Sequence, residues 1–267
     1  MSSGTTPIIP DLKGKRVLVT GGSAGIGKAA ASAFDANGCS VAVLGRTLQR
    51  LDAVAKQLKH GVPIVADLTK KEDLERAVAE AIEKLGGLDI LVNNGGDGTR
   101  EIDGMDEAAF ISFFKLHVTS HLTLIKAAEE ELIKNKGTVV NISSVMATIP
   151  AEEDMAYGVA KAAQDKLTRD LAFEFAPKGV RINSILPGVI NTEAQEGNAK
   201  AMGMAKTDLL AKFAPLHAMG RVGEPHEVAA AIVFLASSAA SFITGVNLPV
   251  DGGATLGYWF NKNPSLE

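Results

Sequence analysis

The sequence predicts an α/β fold: a doubly wound parallel sheet of seven strands with helices on both faces. Short β-rich runs alternate with longer stretches of helical periodicity along almost the whole chain. That order builds a parallel sheet through helical crossovers. Most of the short runs are apolar throughout rather than alternating, as in strands covered on both faces.

The first run, 16–20 (RVLVT), ends at a glycine-rich turn and leads into a helical pattern over 25–37. The run 40–45 (SVAVLG) precedes a helix over 47–59, and 62–66 (VPIVA) precedes one over 70–85. The run 88–93 (LDILVN) leads to the longest pattern, read as one helix over 106–134. After 137–143 (GTVVNIS) comes a helix over 155–176, where Met155, Ala156, Ala160, Ala163, Leu167 and Leu171 recur at helical spacing. The last strands are 180–186 (VRINSIL) and 245–250 (GVNLPV), with a helix over 224–238 ahead of the second. The stretch 187–223 breaks the rhythm and is too long for a plain connection, which marks it as a functional loop or lid. Ligands of such sheets bind beyond the C-terminal strand ends.

The 267 residues, 46% hydrophobic, form one domain, with a tail over 1–12 and a C-terminal extension over 254–267. A net charge of −4 gives no electrostatic footprint for nucleic acid. The single cysteine, Cys39, excludes an internal disulfide and a cysteine-based metal site. The first dozen residues hold two prolines and no apolar run. Neither a signal peptide nor a membrane span is expected, and the expected location is the cytoplasm.

The turn TGGSAGIG, Thr20 to Gly27, can be read in two ways. Gly21, Gly25 and Gly27 stand where a strand becomes a helix. There the backbone can approach a diphosphate closely and the helix start offers free N–H groups. The spacing is G-x3-G-x-G rather than the common G-x-G-x-x-G. The same letters spell G-x-S-x-G around Ser23, the elbow of a serine hydrolase. Such an elbow normally follows several strands, whereas this one follows the first, which favours the phosphate cradle.

Tyr157 and Lys161, in YGVAK, are four apart and share one helix face. An ammonium beside a phenol lowers the phenol's pKa and would make Tyr157 a proton donor and acceptor near neutral pH. The plainer reading is a solvated pair on a helix face.

With TGGSAGIG, NNGG at 93–96, VNISS at 140–144, YGVAK, RINSILPGVINT at 181–192 and VDGG at 250–253, all in order, the chain resembles a short-chain dehydrogenase/reductase. The resemblance runs over nearly the whole chain and implies a Rossmann-type domain, nicotinamide-dependent hydride transfer and a homotetramer. It implies that Tyr157 protonates a carbonyl oxygen or deprotonates an alcohol, and that Lys161 lowers its pKa and holds the nicotinamide ribose. Ser144, thirteen residues before Tyr157, would hydrogen-bond the substrate oxygen, with Ser143 structural. Gly21, Gly25 and Gly27 would line the diphosphate, and Ser23 and Ile26 would also bind the cofactor. Asp67 and Leu68 would flank the adenine. Asn93 would support the cofactor-side scaffold, and Asn94 and Gly95 would border the cofactor, Gly95 standing where the family usually has alanine. Pro187, Gly188, Ile190 and Thr192 would lie at the nicotinamide end.

NAD enzymes carry an acidic residue about 20 positions past the glycine loop for the ribose 2′-OH. Here Gly45 takes that position and Arg46 follows. No carboxylate repels a 2′-phosphate there, and a guanidinium can grip it, so NADP (NADPH) is the expected cofactor. Arg46 could equally be a solvated residue at a helix start.

His117 and His121 form an i,i+4 pair that could hold zinc, but no third ligand stands out, so a packed helix is the better reading. In the family's pattern His117 takes the place of an asparagine that steadies a relay water beside the lysine. An imidazole could hold such a water too, but unlike a carboxamide it titrates, at about 6.5 when unperturbed.

The segment 191–219 supplies Met202, Met204, Leu209, Leu210, Phe213, Leu216 and Met219. These suit a lid over a mainly apolar small-molecule carbonyl or alcohol, or simply pack the lid onto the core. A non-catalytic NADP-binding sensor is a further reading, against which the Ser–Tyr–Lys set argues. Tyr258, Trp259 and Phe260, adjacent past the last strand, are expected to pack in an assembly or over a pocket.

Overall fold

The computed structural model describes residues 7–96, 106–150 and 154–257. Seven parallel strands form one sheet: β1 (Arg16–Thr20), β2 (Ser40–Gly45), β3 (Gly61–Val65), β4 (Ile90–Asn93), β5 (Thr138–Ile142), β6 (Arg181–Pro187) and β7 (Asn247–Val250). Their spatial order is β3-β2-β1-β4-β5-β6-β7. The order reverses between β1 and β4, which pair in register from Val17 opposite Ile90 to Val19 opposite Val92. A ligand crevice is expected outside the carboxyl ends of the strands at this reversal.

Each strand feeds both layers, because successive side chains point to opposite faces. Val17 and Val19 of β1 enter one core with α1 (Gly25–Ala36), α2 (Leu48–Ala55) and α10 (Pro225–Ala236). Leu18 enters the other with α3 (Lys71–Leu85), α5 (Ser120–Ala127) and α7 (Met155–Phe175). This explains why the strands read as continuous apolar runs. Each fully buried aliphatic side chain contributes about 1.5–3 kcal/mol of transfer free energy.

The expected single helix over 106–134 is instead broken. It consists of α4 (Glu107–Phe114), a π-helical turn at Lys115–Thr119, α5, and, after a break at Ala128, α6 (Glu129–Lys134). A π turn inserts one residue into the helical ladder and changes the direction of the side chains beyond it. Here it falls on His117. The run Glu107–Ala127 is long and apolar enough to cross a membrane by composition alone. Its Phe113, Val118, Leu124 and Ile125 are buried within the fold.

The lid over 187–223 carries two helices of its own, α8 (Ala194–Ala201) and α9 (Lys206–Phe213). A backbone bridge from Ile190 to Gly223 closes its base. There Asn191 N–H donates to the Gly223 carbonyl at 2.8 Å and Gly223 N–H to the Val189 carbonyl at 2.9 Å. His217 Nε2 accepts from Val189 N–H at 3.1 Å. The expected helix over 47–59 ends earlier, at Ala55, and the last strand starts at Asn247 rather than 245. Part of the expected tail is packed: Leu12 is buried and Asp11 accepts from the Ser238 N–H at 2.8 Å. The aromatic run Tyr258–Phe260 lies outside the described residues.

Candidate active site

A cleft of about 330 Å³ opens at the C-terminal strand ends, beside the reversal point. It brings together Gly21, Gly25, Ile26, Asn94, Gly95, His117, Ser144, Tyr157, Lys161, Pro187, Gly188, Ile190 and Thr192. Five sequence-predicted residues are absent from its lining: Ser23, Gly27, Arg46, Asp67 and Leu68. A larger cavity of about 670 Å³ lies against residues such as Lys15, Asp89 and Thr138 at the opposite strand ends and is lined by none of the predicted catalytic or cofactor-binding residues.

The glycine loop is built by close approach. A Cβ on Gly27 would stand 2.3 Å from the Gly21 carbonyl oxygen and 2.5 Å from Asn94 Nδ2. Only hydrogen fits there, so the loop can fold flat against the end of β4. Asn94 Nδ2 donates to the Thr20 carbonyl at 3.0 Å, and Thr20 Oγ1 accepts the N–H groups of Asn94 at 3.0 Å and Gly95 at 2.8 Å. Asn93 is fully buried and its Nδ2 donates to Asn141 Oδ1 at 2.9 Å, a scaffold contact under the cleft.

The start of α1 has no side-chain cap from Ala24 and no acidic residue in its first turn. Its Gly25 N–H is instead bound by the Glu193 carboxylate at 2.8 Å. An anion already sits on this helix start, so the donor set fits the diphosphate of a dinucleotide.

At the other end of that cofactor, Gly45 ends β2 and Ser23 Oγ stands 3.7 Å from the place its Cβ would take. Ser23 therefore points to the expected 2′-phosphate end rather than to the cleft that holds Tyr157. Asp67 accepts from Thr69 through both N–H and Oγ1, at 2.9 and 2.8 Å. Those bonds lower its pKa, with smaller help from the charges of Lys70 and Arg46. Leu68 packs against Gly95.

Tyr157 sits on the first turn of α7, and Lys161 follows one turn later. The Lys161 Nζ is 5.5 Å from the centre of the tyrosine ring. It donates to the Ile142 carbonyl at 2.8 Å and to Gln164 Oε1 at 3.0 Å. Burial pulls its pKa down to about 7, opposed by Asp165. Burial pushes Tyr157 up to about 12, with a hydrogen bond to Ser144 opposing and the charge of Asp154 adding. The expected lowering of the tyrosine by the lysine is thus not present in this state. The ammonium is turned toward Ile142 and Gln164, and for the tyrosine loss of water outweighs the Ser144 hydrogen bond. Ser144 Oγ accepts from Met146 N–H at 3.2 Å, which fixes it at the start of a short 3₁₀ turn. Ser143 lies beneath, buried, its hydroxyl donating to the Lys161 carbonyl at 3.4 Å.

His117 is packed by aromatic rings. It stacks on Phe113 with centres 6.0 Å apart and meets Tyr157 edge-on at 5.3 Å. A Cβ on Gly96 would stand 2.3 Å from its Cε1, so the second glycine of NNGG makes room for the ring. His121, one turn on, is buried. Burial and the charge of Lys161 pull it down to about 3, with the Gly95 backbone opposing. It is a neutral imidazole in the lysine's chamber. Among the described residues no group of three or more histidine, cysteine or acidic side chains could hold a metal ion.

Three features were not read from the sequence. Gln164 lies three residues after Lys161 on the same face, and that spacing could have flagged it. Glu193 has no local signal, since its partner is 168 positions away. Beyond Thr192 the lid contributes Glu193, Ala194 and Gln195 to the cleft, whereas none of the predicted apolar side chains from Met202 to Met219 lines it, and Leu209 is buried.

A family model described as enoyl-(acyl carrier protein) reductase matches residues 21–255. The L-fucose dehydrogenase of Bos taurus is 38% identical over 247 residues, 92% of this chain and 91% of that protein. The glucose 1-dehydrogenase of Gluconobacter oxydans is 36% identical over 265 residues, covering 94% and 95%. Among solved structures, the L-sorbose reductase of Gluconobacter frateurii, complexed with NADPH and L-sorbose, superposes with a TM-score of 0.85 at 28% identity, covering 92% and 97%. Fold, motif order and relatives agree, and no comparison supports a serine hydrolase: the chain belongs to the short-chain dehydrogenase/reductase family of oxidoreductases.

Proposed function

We propose that this protein is an NADP(H)-dependent oxidoreductase that interconverts a secondary alcohol and a carbonyl on a small polyhydroxylated substrate, with Tyr157 exchanging the proton. The observation that carries this reading is the meeting of Ser144, Tyr157 and Lys161 with the glycine cradle in one cleft. When bound, the nicotinamide supplies or accepts the hydride at the substrate carbon.

The chain's own residues do the rest. Ser144 donates to the substrate oxygen and holds it against the Tyr157 hydroxyl. Tyr157, protonated near neutral pH, gives its proton to that oxygen during reduction and, as the phenolate, takes it back during oxidation. Lys161, brought close to 7 by burial, can gain and lose a proton near neutral pH and restores the tyrosine. His117 keeps the tyrosine ring in place by its edge-on contact and faces the same cleft. We assign it the relay-water position of the family's asparagine.

Gly21, Gly25, Ile26 and Gly27 hold the diphosphate, and Asp67 and Leu68 flank the adenine. Asn94 and Gly95 border the cofactor, and Pro187, Gly188, Ile190 and Thr192 meet the nicotinamide. Ser23 and Arg46 take the 2′-phosphate, which favours NADP over NAD. A sensor without turnover would have no use for the full Ser–Tyr–Lys set.

For the substrate, the names of the relatives point to sugars, and Glu193 and Gln195 give the cleft acceptors for hydroxyl groups. This replaces the expectation of a mainly apolar ligand. Exposed Ile111, Phe114, Met155 and Val159 on α4 and α7 support assembly with further copies, as a homotetramer.

The test is a panel of aldohexoses, 6-deoxyhexoses, ketoses, a simple aliphatic ketone and an enoyl thioester, followed by NADPH absorbance in both directions. Turnover of a sugar with NADP(H) is expected. Turnover of only the enoyl thioester would overturn the carbonyl chemistry.

A further inference from the structure

Glu193 is the residue that joins the lid to the cofactor cradle. It follows Thr192 and precedes α8, and its Oε2 accepts from the Gly25 N–H at 2.8 Å. Thr192 closes the same spot: its Cγ2 lies 3.1 Å from where a Cβ on Gly25 would stand, and Glu193 Oε2 lies 3.8 Å from that point. The start of α1 has no acid of its own and no side-chain cap. A carboxylate from across the fold therefore fills the role that a local N-cap would fill elsewhere.

Resting on the nucleotide reading above, we propose that Glu193 is an intramolecular anion seated on the diphosphate position, so that nucleotide binding must displace the carboxylate and move the start of the lid. A diphosphate and a carboxylate cannot share one N–H, and their like charges repel at this range. The displaced segment includes Ala194 and Gln195, which line the same cleft. Arrival of the nucleotide thereby alters the substrate side of the site. Because NADPH and NADH share the diphosphate, the competition weakens both by the same factor. It is thus separate from any discrimination made at the 2′-phosphate.

The experiment measures Kd for NADPH, NADH and ADP by calorimetric titration of the full chain at low ionic strength. The proteins are the wild type, Glu193→Gln, Glu193→Ala and, as a control on the same helix, Glu196→Gln. Glu193→Gln keeps an acceptor and removes the charge, whereas Glu193→Ala removes both. Both variants should bind all three nucleotides more tightly, by roughly three- to tenfold, the range of a charge-assisted contact at an exposed helix start. Glu196→Gln should match the wild type, and the gain should shrink in high salt. Unchanged or weaker affinity in both Glu193 variants would overturn the proposal. So would a gain confined to NADPH, which would place the charge effect at the 2′-phosphate. Failure of every protein to bind any nucleotide would instead overturn the cofactor reading on which the proposal rests.

Discussion

Replacing His121 with leucine should flatten the acid limb of stability. The imidazole is buried and held neutral, its pKa pulled down to about 3 by burial and by the charge of Lys161. In the unfolded chain it returns to about 6.5. Between these values the unfolded state binds one more proton than the folded state, so stability rises with pH across this window. The cost is absent above 6.5, grows as pH falls, and is complete below the folded value. At pH 5 the folded side chain is still neutral and the unfolded one is about 97% protonated, so the penalty follows from the gap between pH 5 and 6.5 and amounts to about 2 kcal/mol. The assay is urea unfolding of wild type and His121→Leu at pH 7.5 and pH 5. The substitution has its own packing cost, but that cost is common to both pH values and cancels in the difference. Other titrations, including that of Lys161, cancel in the same way. The variant's stability relative to wild type should improve by about 2 kcal/mol on going to pH 5. An equal loss in both proteins would show that His121 is charged or solvated and refute the neutral chamber beside Lys161.

Three further outcomes follow from the same geometry. Arg46→Ala should raise the KM for NADPH by about tenfold or more while leaving NADH nearly unchanged, as steady-state kinetics with both cofactors would show. Gly96→Ala drives a methyl group into His117, and through it Tyr157, so kcat should fall and stability drop by about 1–3 kcal/mol. Adding His117→Asn to Gly96→Ala should recover part of the lost rate, because the smaller side chain gives the methyl room; a double-mutant cycle with no coupling would contradict that contact.

The sheet was legible because buried parallel strands leave unmistakable apolar runs, as Val17–Val19 and Val41–Leu44 do. The cradle and the Tyr157–Lys161 face were legible because glycine spacing and helical register are local properties of the chain. The break near His117 was not. Periodicity alone gave one helix over 106–134, whereas the π turn accompanies the packing of the imidazole among Phe113, Tyr157 and the space at Gly96. The direction of the tyrosine shift was missed for a related reason. Spacing gives the distance between a phenol and an ammonium, but not how far water is excluded from each or that Gln164 and Ile142 claim the ammonium. The lid was recognised by its length, yet which of its side chains face the cleft depends on contacts such as Glu193 with Gly25, made across the whole fold.

The central claim is that the Tyr157 hydroxyl delivers the proton in a site otherwise complete for binding. The most direct test measures kcat and NADPH affinity together in Tyr157→Phe, which removes one oxygen from a ring otherwise held by Phe113 and His117. Loss of a general acid should lower kcat by about 10²–10⁴-fold while the NADPH Kd stays within about twofold of wild type. Turnover close to wild type in Tyr157→Phe, with the nucleotide still bound, would contradict it.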